Sequence, residues 1–243
     1  AVGRVHNGED MSRYSRQEKL FGIEGQKKLS AATVTVAGCG GLGTYLSLLL
    51  TSAGIGKIRL VDGGTPSETD LNRQFFYTGA KGFKADILSK RLREINPEVE
   101  IETICRFIEE DNAPEIIGKC DVIADCLDSV RSRLVINKYA VLNNIPLAHG
   151  GIDGFYGQAT FIFPGRTPCL RCILRGTDER VPDSMAPIVS LIASVQASDI
   201  VKFITGSGET MEGKLFTVFA GTNDYGTVAI SPDPKCPVCG RIQ

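Results

Sequence analysis

Gly38-Cys39-Gly40-Gly41-Leu42-Gly43 fits the pattern G-x-G-x-x-G. Glycines at this spacing let the backbone turn tightly and approach a phosphate, and the helix that follows offers unpaired N–H groups to the anion. Asp62 stands where an acid can accept hydrogen bonds from ribose hydroxyls. Together these residues predict nucleotide binding. A second set predicts a metal. Of the eight cysteines, four form two C-x-x-C knuckles, Cys169/Cys172 and Cys236/Cys239. Each knuckle presents two thiolates on one turn, half of a tetrahedral zinc site. Two redox pairs without a thioredoxin context would be a less economical explanation. Four cysteine ligands close the site, so this zinc is expected to staple the C-terminal tail and to do no chemistry. Arg171 and Lys235 beside the knuckles offset its negative charge. The single cysteines Cys39, Cys105, Cys120 and Cys126 read as buried apolar residues of strands and helices.

These residues need a scaffold, and the surrounding pattern supplies one. Thr33–Val36 reads as a strand, Leu42–Ala53 as an apolar helix ended by Gly54 and Gly56, and Lys57–Val61 as a strand ending at Asp62. From Lys84 an amphipathic helix runs on until it must stop before Pro97. A third strand at 98–104, a short helix at 112–118 and a fourth strand at 121–125 follow, the last ending in Cys126-Leu127-Asp128-Ser129. A helix at 131–142 and a strand at 145–148 lead to His149, read as a turn histidine satisfied by backbone. This alternation predicts a mainly parallel sheet with ligands beyond the carboxyl ends of its strands, where Asp62, Asp128 and His149 fall. The second half changes character. Residues 158–163, 214–219 and 226–230 alternate in the antiparallel manner, and Ala186–Thr205 is a long apolar helix for the core or a subunit contact. The fold class is therefore α/β: a Rossmann-like, mainly parallel sheet continued by antiparallel strands, with a four-cysteine zinc site.

At the N-terminus, residues 1–11, including His6, look like a mobile arm. Two short helices broken at Gly22 and Gly25 follow, and on composition alone Arg13 and Arg16 are solvated charges. The 243 residues carry a net charge of −1, which provides no basic field for nucleic acid. No uninterrupted apolar run approaches the roughly 20 residues needed to cross a bilayer, no secretory signal precedes the first charges, and the cytoplasm is the expected compartment.

R-Y-S-R-Q at 13–17, the glycine turn, Asp62, L-N-R-Q at 71–74, Lys84 opening a helix, D-C-L-D at 125–128 and both knuckles occur in one order. In that order the chain resembles the adenylating enzymes that activate ubiquitin-like proteins, including the adenylyltransferases of thiamine and molybdopterin biosynthesis. The resemblance covers roughly residues 12–240. It implies one adenylation domain over 12–243, with a nucleotide-binding half at 12–150 and a carrier-binding, zinc-stapled half at 151–243. It implies an ATP site formed by Gly38, Gly40, Gly41, Gly43, Asp62, Asn72 and Gln74. Arg73 and Lys84 would hold the triphosphate, Asp128 would hold magnesium, and Arg16 would reach into the site of a partner subunit in a homodimer. The implied partner is a small sulfur-carrier protein ending in Gly-Gly, whose carboxylate is adenylated with release of pyrophosphate.

This chain departs from the resemblance at three places. Asp70 stands where many members have asparagine, an extra negative charge close to the phosphates. Leu127-Asp128-Ser129 replaces a threonine-aspartate-asparagine. The crossover segment 173–185 carries no cysteine to receive an activated carboxylate, and Ser184 is its nearest hydroxyl. An NAD-dependent oxidoreductase shares the glycine turn and Asp62 but gives Arg16, Arg73, Lys84 and the knuckles no joint role. A non-catalytic partner subunit that binds a ubiquitin-like protein is kept open by Asp70 and Ser129. A relative that adenylates another acid or amide, such as a peptide terminus or a tRNA base, is a third reading.

Overall fold

The structure, a computed structural model, describes residues 12–174 and 182–240. The expected arm at 1–11 and most of the crossover segment, 175–181, lie outside the described residues. Strands β1 (Thr33–Ala37), β2 (Lys57–Val61), β3 (Glu100–Ile104), β4 (Val122–Asp125) and β5 (Leu147–Asp153) pair in parallel. Strands β6 (Tyr156–Ile162), β7 (Lys214–Phe219) and β8 (Asp224–Ala229) continue the sheet antiparallel. The order of the eight strands is β3-β2-β1-β4-β5-β6-β7-β8. Hydrophobic patterning fixes the register. Val34 and Val36 of β1 point into one core, while Ala37 points into the other, so both faces of the central strands are buried.

Helices α1 (Glu18–Ala31), α2 (Gly41–Ala53), α3 (Lys84–Ile95) and α7 (Ala186–Thr205) cover the first face, around Leu29, Leu46, Leu88 and Ile192. Helices α4 (Ala113–Ile117), α5 (Val130–Leu142) and α6 (Leu170–Ile173) cover the second, around Ile116, Ile136 and Leu170. Within α1 only Gly22 leaves helical geometry (φ 74°, ψ 168°), so the expected break falls there, and Gly25 stays helical and buried. Helix α7 is long and apolar enough to cross a membrane by length and composition, yet it packs on α2, β5 and β6 as a core helix. The chain leaves β1 toward β2 and β3, then returns to place β4 on the other side of β1. Crevices at such a reversal take ligands at the strands' carboxyl ends.

Candidate functional site

The glycine turn fills that crevice. Gly38 has φ 95°, and a Cβ there would lie 2.6 Å from the Cys126 carbonyl oxygen. A Cβ on Gly43 would lie 1.9 Å from the carbonyl oxygen of Gly38, so the turn closes only with glycine at both places. Helix α2 begins at Gly41 with no side-chain cap, leaving its first N–H groups free to face the cleft. One oxygen of Asp62 holds this turn, accepting from Cys39 N, and the other accepts from Gly64 N in the loop after β2, at 2.7 Å each. A carboxylate has lone pairs beyond these two bonds, so it can still receive a ribose hydroxyl.

The sequence motifs gather around a cleft of about 380 Å³ lined by Gly38, Gly40, Gly41, Asp62, Asp70, Arg73, Gln74, Lys84 and Asp128. The cations are already engaged. Lys84 Nζ lies 3.0 Å from Asp70 Oδ2, and Arg73 Nη2 lies 3.4 Å from Asp70 Oδ1. Gln74 Nε2 donates to Asp70 Oδ1 at 3.0 Å, while its Oε1 is buried without a partner among the described residues. Arg73 Nη1 donates to Thr69 O at 2.9 Å and to Asn72 Oδ1 at 2.8 Å. Asn72 in turn donates to Ser184 O at 3.2 Å, tying the end of the crossover segment to the cleft. Burial opposes ionisation of Asp70, but the Ser67 amide and Lys84 outweigh it and hold the carboxyl below its ordinary range. Asp128 is exposed beyond β4 and lines the cleft. Ser129 caps α5, accepting from Ser132 N at 3.1 Å. Serine and asparagine cap helices about equally well, so that departure leaves the local fold unchanged.

Sequence reasoning missed several residues of the cleft. Phe107 and Ile108, from the loop after β3, form an apolar wall with Leu127, and Arg106 of the same loop adds a charged group to the lining. Gly63 makes room for that wall: a Cβ there would lie 2.8 Å from Phe107. The periodicity signal ends with the strand, so nothing in the sequence marked this loop. Arg133 was missed because it reads as an ordinary helix charge. It is 8% exposed, and its Nε and Nη2 both donate to Leu127 O, holding the loop that carries Asp128.

His149 corrects the sequence reading. It lies within β5, fully buried, and is satisfied by side chains and not by backbone. Its Nδ1 lies 2.7 Å from Asp125 Oδ2, and its Nε2 lies 3.0 Å from Gln158 Nε2. The arrangement fits a neutral ring that donates to Asp125 and accepts from Gln158. Desolvation lowers the pKa of His149 against the pull of Asp125. Asp125 is held ionised: burial opposes it, but Arg133 and His149 bring its pKa below the ordinary value. Gly151 leaves space for the Arg133 guanidinium, since a Cβ there would lie 3.1 Å from Nη1.

A second groove of about 300 Å³ adjoins the cleft, sharing Asp128, Arg133, Ile152 and Pro182 with it and adding Gly151, Tyr156 and Gln158. Beyond it Phe155, in the turn between β5 and β6, and Phe219, Tyr225 and Val228, on β7 and β8, are exposed. Arg16, by contrast, is exposed and far from its own cleft. Its neighbours are pinned at the opposite end of α2: the Tyr14 ring closes on Gly54, and Gln17 Nε2 donates to Ala53 O at 2.7 Å. A helix of this length separates them from the glycine turn by about 20 Å.

The four knuckle cysteines converge, with all sulfurs within 4.8 Å of one another. Sγ of Cys169 lies 3.7 Å from that of Cys236, and Cys172 3.4 Å from Cys239. Tetrahedral zinc at about 2.3 Å from each sulfur sets them about 3.8 Å apart, so the residues fit that ion. The cluster packs on Val141 at the end of α5 remote from Asp128, with Leu170 N donating to Asn137 Oδ1 at 2.8 Å. Of the single cysteines, Cys39 and Cys126 are buried and Cys105 and Cys120 partly so.

A doubly wound α/β sheet with a glycine turn, two cations and an acid around one cleft at its switch point, and a remote thiolate cluster defines the class of this protein as a Rossmann-like α/β fold with a four-cysteine site. The chain belongs to the ThiF family, whose model matches residues 14–238. It is similar to the heterocyst HesA protein of Trichormus variabilis, 34% identical over 242 residues, which are 96% of this chain and 90% of that protein. It is 32% identical to the molybdopterin-synthase adenylyltransferase of Escherichia coli over 243 residues, 96% of this chain and 98% of the enzyme. The crystal structure of E. coli MccB with ATP matches it with a TM-score of 0.84 at 25% identity, over 95% of this chain and 75% of MccB.

Proposed function

We propose that this chain uses ATP to adenylate the C-terminal glycine carboxylate of a small ubiquitin-like sulfur carrier, releasing pyrophosphate. The observation that carries this reading is the joining of two spaces at Asp128 and Arg133: a cleft with nucleotide-binding features and a groove toward exposed antiparallel strands. A flexible Gly-Gly tail fits such a groove, while the exposed aromatic strands β7 and β8 offer the carrier's body a docking face. The similarity to a molybdopterin-synthase adenylyltransferase and to a protein crystallised with ATP supports the same assignment over an NAD-dependent oxidoreductase. Residues 12–150 would then serve the nucleotide and 151–243 the carrier.

In this reading the carboxylate attacks the α-phosphorus, and the bond to the pyrophosphate oxygen breaks. The nucleophile is already ionised at neutral pH, so no general base is needed. The difficulty is electrostatic, bringing an anion to a polyanion, and positioned cations answer it. Arg73 and Lys84 would take the β- and γ-phosphates, the N-terminus of α2 and Gly38–Gly43 would cradle the chain of phosphates, and Asp62 would hold the ribose. Asn72 and Gln74 would orient Arg73 and the phosphates. Asp128 would hold magnesium, which supplies charge neutralisation to the departing pyrophosphate. Arg16 cannot reach its own cleft, which supports its action in the partner's site of a homodimer. With no cysteine in 173–185, the reaction is expected to stop at the carrier adenylate.

ATP–pyrophosphate exchange with Gly-Gly carrier proteins tests this reading. Carrier-dependent exchange is expected. Carrier binding without exchange would instead support a non-catalytic partner subunit, and tight NAD binding with none for ATP would support an oxidoreductase.

A further inference from the structure

Asp70 is bonded to every side chain expected to greet the β- and γ-phosphates. Its two oxygens meet Lys84 Nζ at 3.0 Å, Arg73 Nη2 at 3.4 Å and Gln74 Nε2 at 3.0 Å. The charged groups are only 13–19% exposed, so water screens them poorly. The remaining donors of Arg73 also turn toward its own loop, onto Thr69 and Asn72. Asp70 is itself rigidly held, since Ser67 N donates to its Oδ2 at 3.0 Å and Ser67 Oγ at 3.1 Å. An anion fixed between two cations at the mouth of a glycine turn stands where a phosphate oxygen would stand.

We propose that Asp70 is a built-in counter-anion of the polyphosphate subsite, a positioning residue that orders Arg73, Gln74 and Lys84 in the nucleotide-free protein and weakens binding of any triphosphate whose charge is not neutralised by a divalent cation. This inference rests on the nucleotide reading of the same cleft. An entering triphosphate must share Lys84 and Arg73 with Asp70, whose own charge repels it. A nucleoside monophosphate leaves the pair alone, because its single phosphate stays at the glycine turn. A magnesium-bound triphosphate carries less charge against Asp70 than a free one.

The test is isothermal titration of the full chain and its Asp70→Asn variant with ATP, in EDTA and in magnesium, and with AMP. The introduced amide keeps an oxygen for Ser67 while removing the charge. The expected result is ATP binding in EDTA tightened by about tenfold, with a smaller gain in magnesium and no change for AMP. The melting temperature of the nucleotide-free variant should fall, because Lys84 and Arg73 lose their counter-charge. Unchanged or weaker ATP binding by the variant would overturn the proposal, and so would equal tightening for ATP and AMP. Should Asp70→Asn not fold, Asp70→Ser keeps a hydroxyl acceptor and must give the same ordering. A wild-type protein that binds neither ATP nor AMP would overturn the nucleotide reading itself, a different outcome from either of these.

Discussion

Asp128 carries the sharpest expectation at the scale of single residues. It is exposed at the end of β4 and holds no part of the core, so Asp128→Ala should leave the melting temperature unchanged. Turnover in the exchange assay should fall by at least about a hundredfold, the scale of losing several kcal/mol of charge stabilisation. His149 makes a contrasting residue, buried and bonded away from the reacting groups. Its pKa is lowered, so the folded protein binds a proton less readily than the unfolded chain. Stability is therefore intact above the ordinary histidine value of 6.5 and declines as pH falls below it. Asp125, also lowered, adds a loss below its ordinary value of 3.8. Thermal melts between pH 7 and pH 5 should show the first decline, and His149→Gln should flatten it. A variant slope equal to that of the wild type would remove His149 as its source.

Elements decide what those residues can do. The turn between β1 and α2 tolerates no side chain at Gly43, because its Cβ would overlap the Gly38 carbonyl oxygen at 1.9 Å. Gly43→Ala should cost about 1–3 kcal/mol of stability and weaken ATP binding together, read by denaturant melts and titration. The zinc knuckles act on a different element. They clamp the C-terminal tail to the far end of α5, roughly 20 Å along the helix from Asp128. Metal analysis should give one zinc per chain, and chelation should lower the melting temperature before it alters turnover. Cys236→Ser should do the same. Loss of turnover with an unchanged melting temperature would give the metal a catalytic role instead.

At the scale of the whole molecule, the pinning of Tyr14 and Gln17 at the C-terminal end of α2 sets Arg16 at the opposite end of that helix from its own glycine turn. Arg16→Ala and Asp128→Ala proteins, each inactive alone, should regain activity when mixed. In a heterodimer one site carries both defects and the other carries neither. Failure to complement, with subunit exchange confirmed, would place the action of Arg16 within its own chain. Incubation with ATP and a carrier should yield a carrier adenylate and no thiol-sensitive enzyme–carrier adduct on a non-reducing gel. An adduct at Cys39, Cys105, Cys120 or Cys126 would overturn that expectation.

Local pattern alone determined the strands and helices that matter most. Periodicity and the punctuation of Gly54 and Pro97 placed β2, α3, β7 and α7 where the structure has them, since these signals depend on neighbours along the chain. The glycine turn, Asp62 and both knuckles were legible for the same reason: each is a short motif whose spacing is its chemistry. What the sequence could not decide depends on residues brought together from far apart. The wall at Phe107 requires the loop after β3 to fold over Gly63. His149 read as a turn residue because its partners, Asp125 and Gln158, lie on the strands to either side. Asp70 read as a stray negative charge beside the phosphates. Only the tertiary structure showed that its charge is matched by Arg73 and Lys84, because a charge is defined by its neighbours in space.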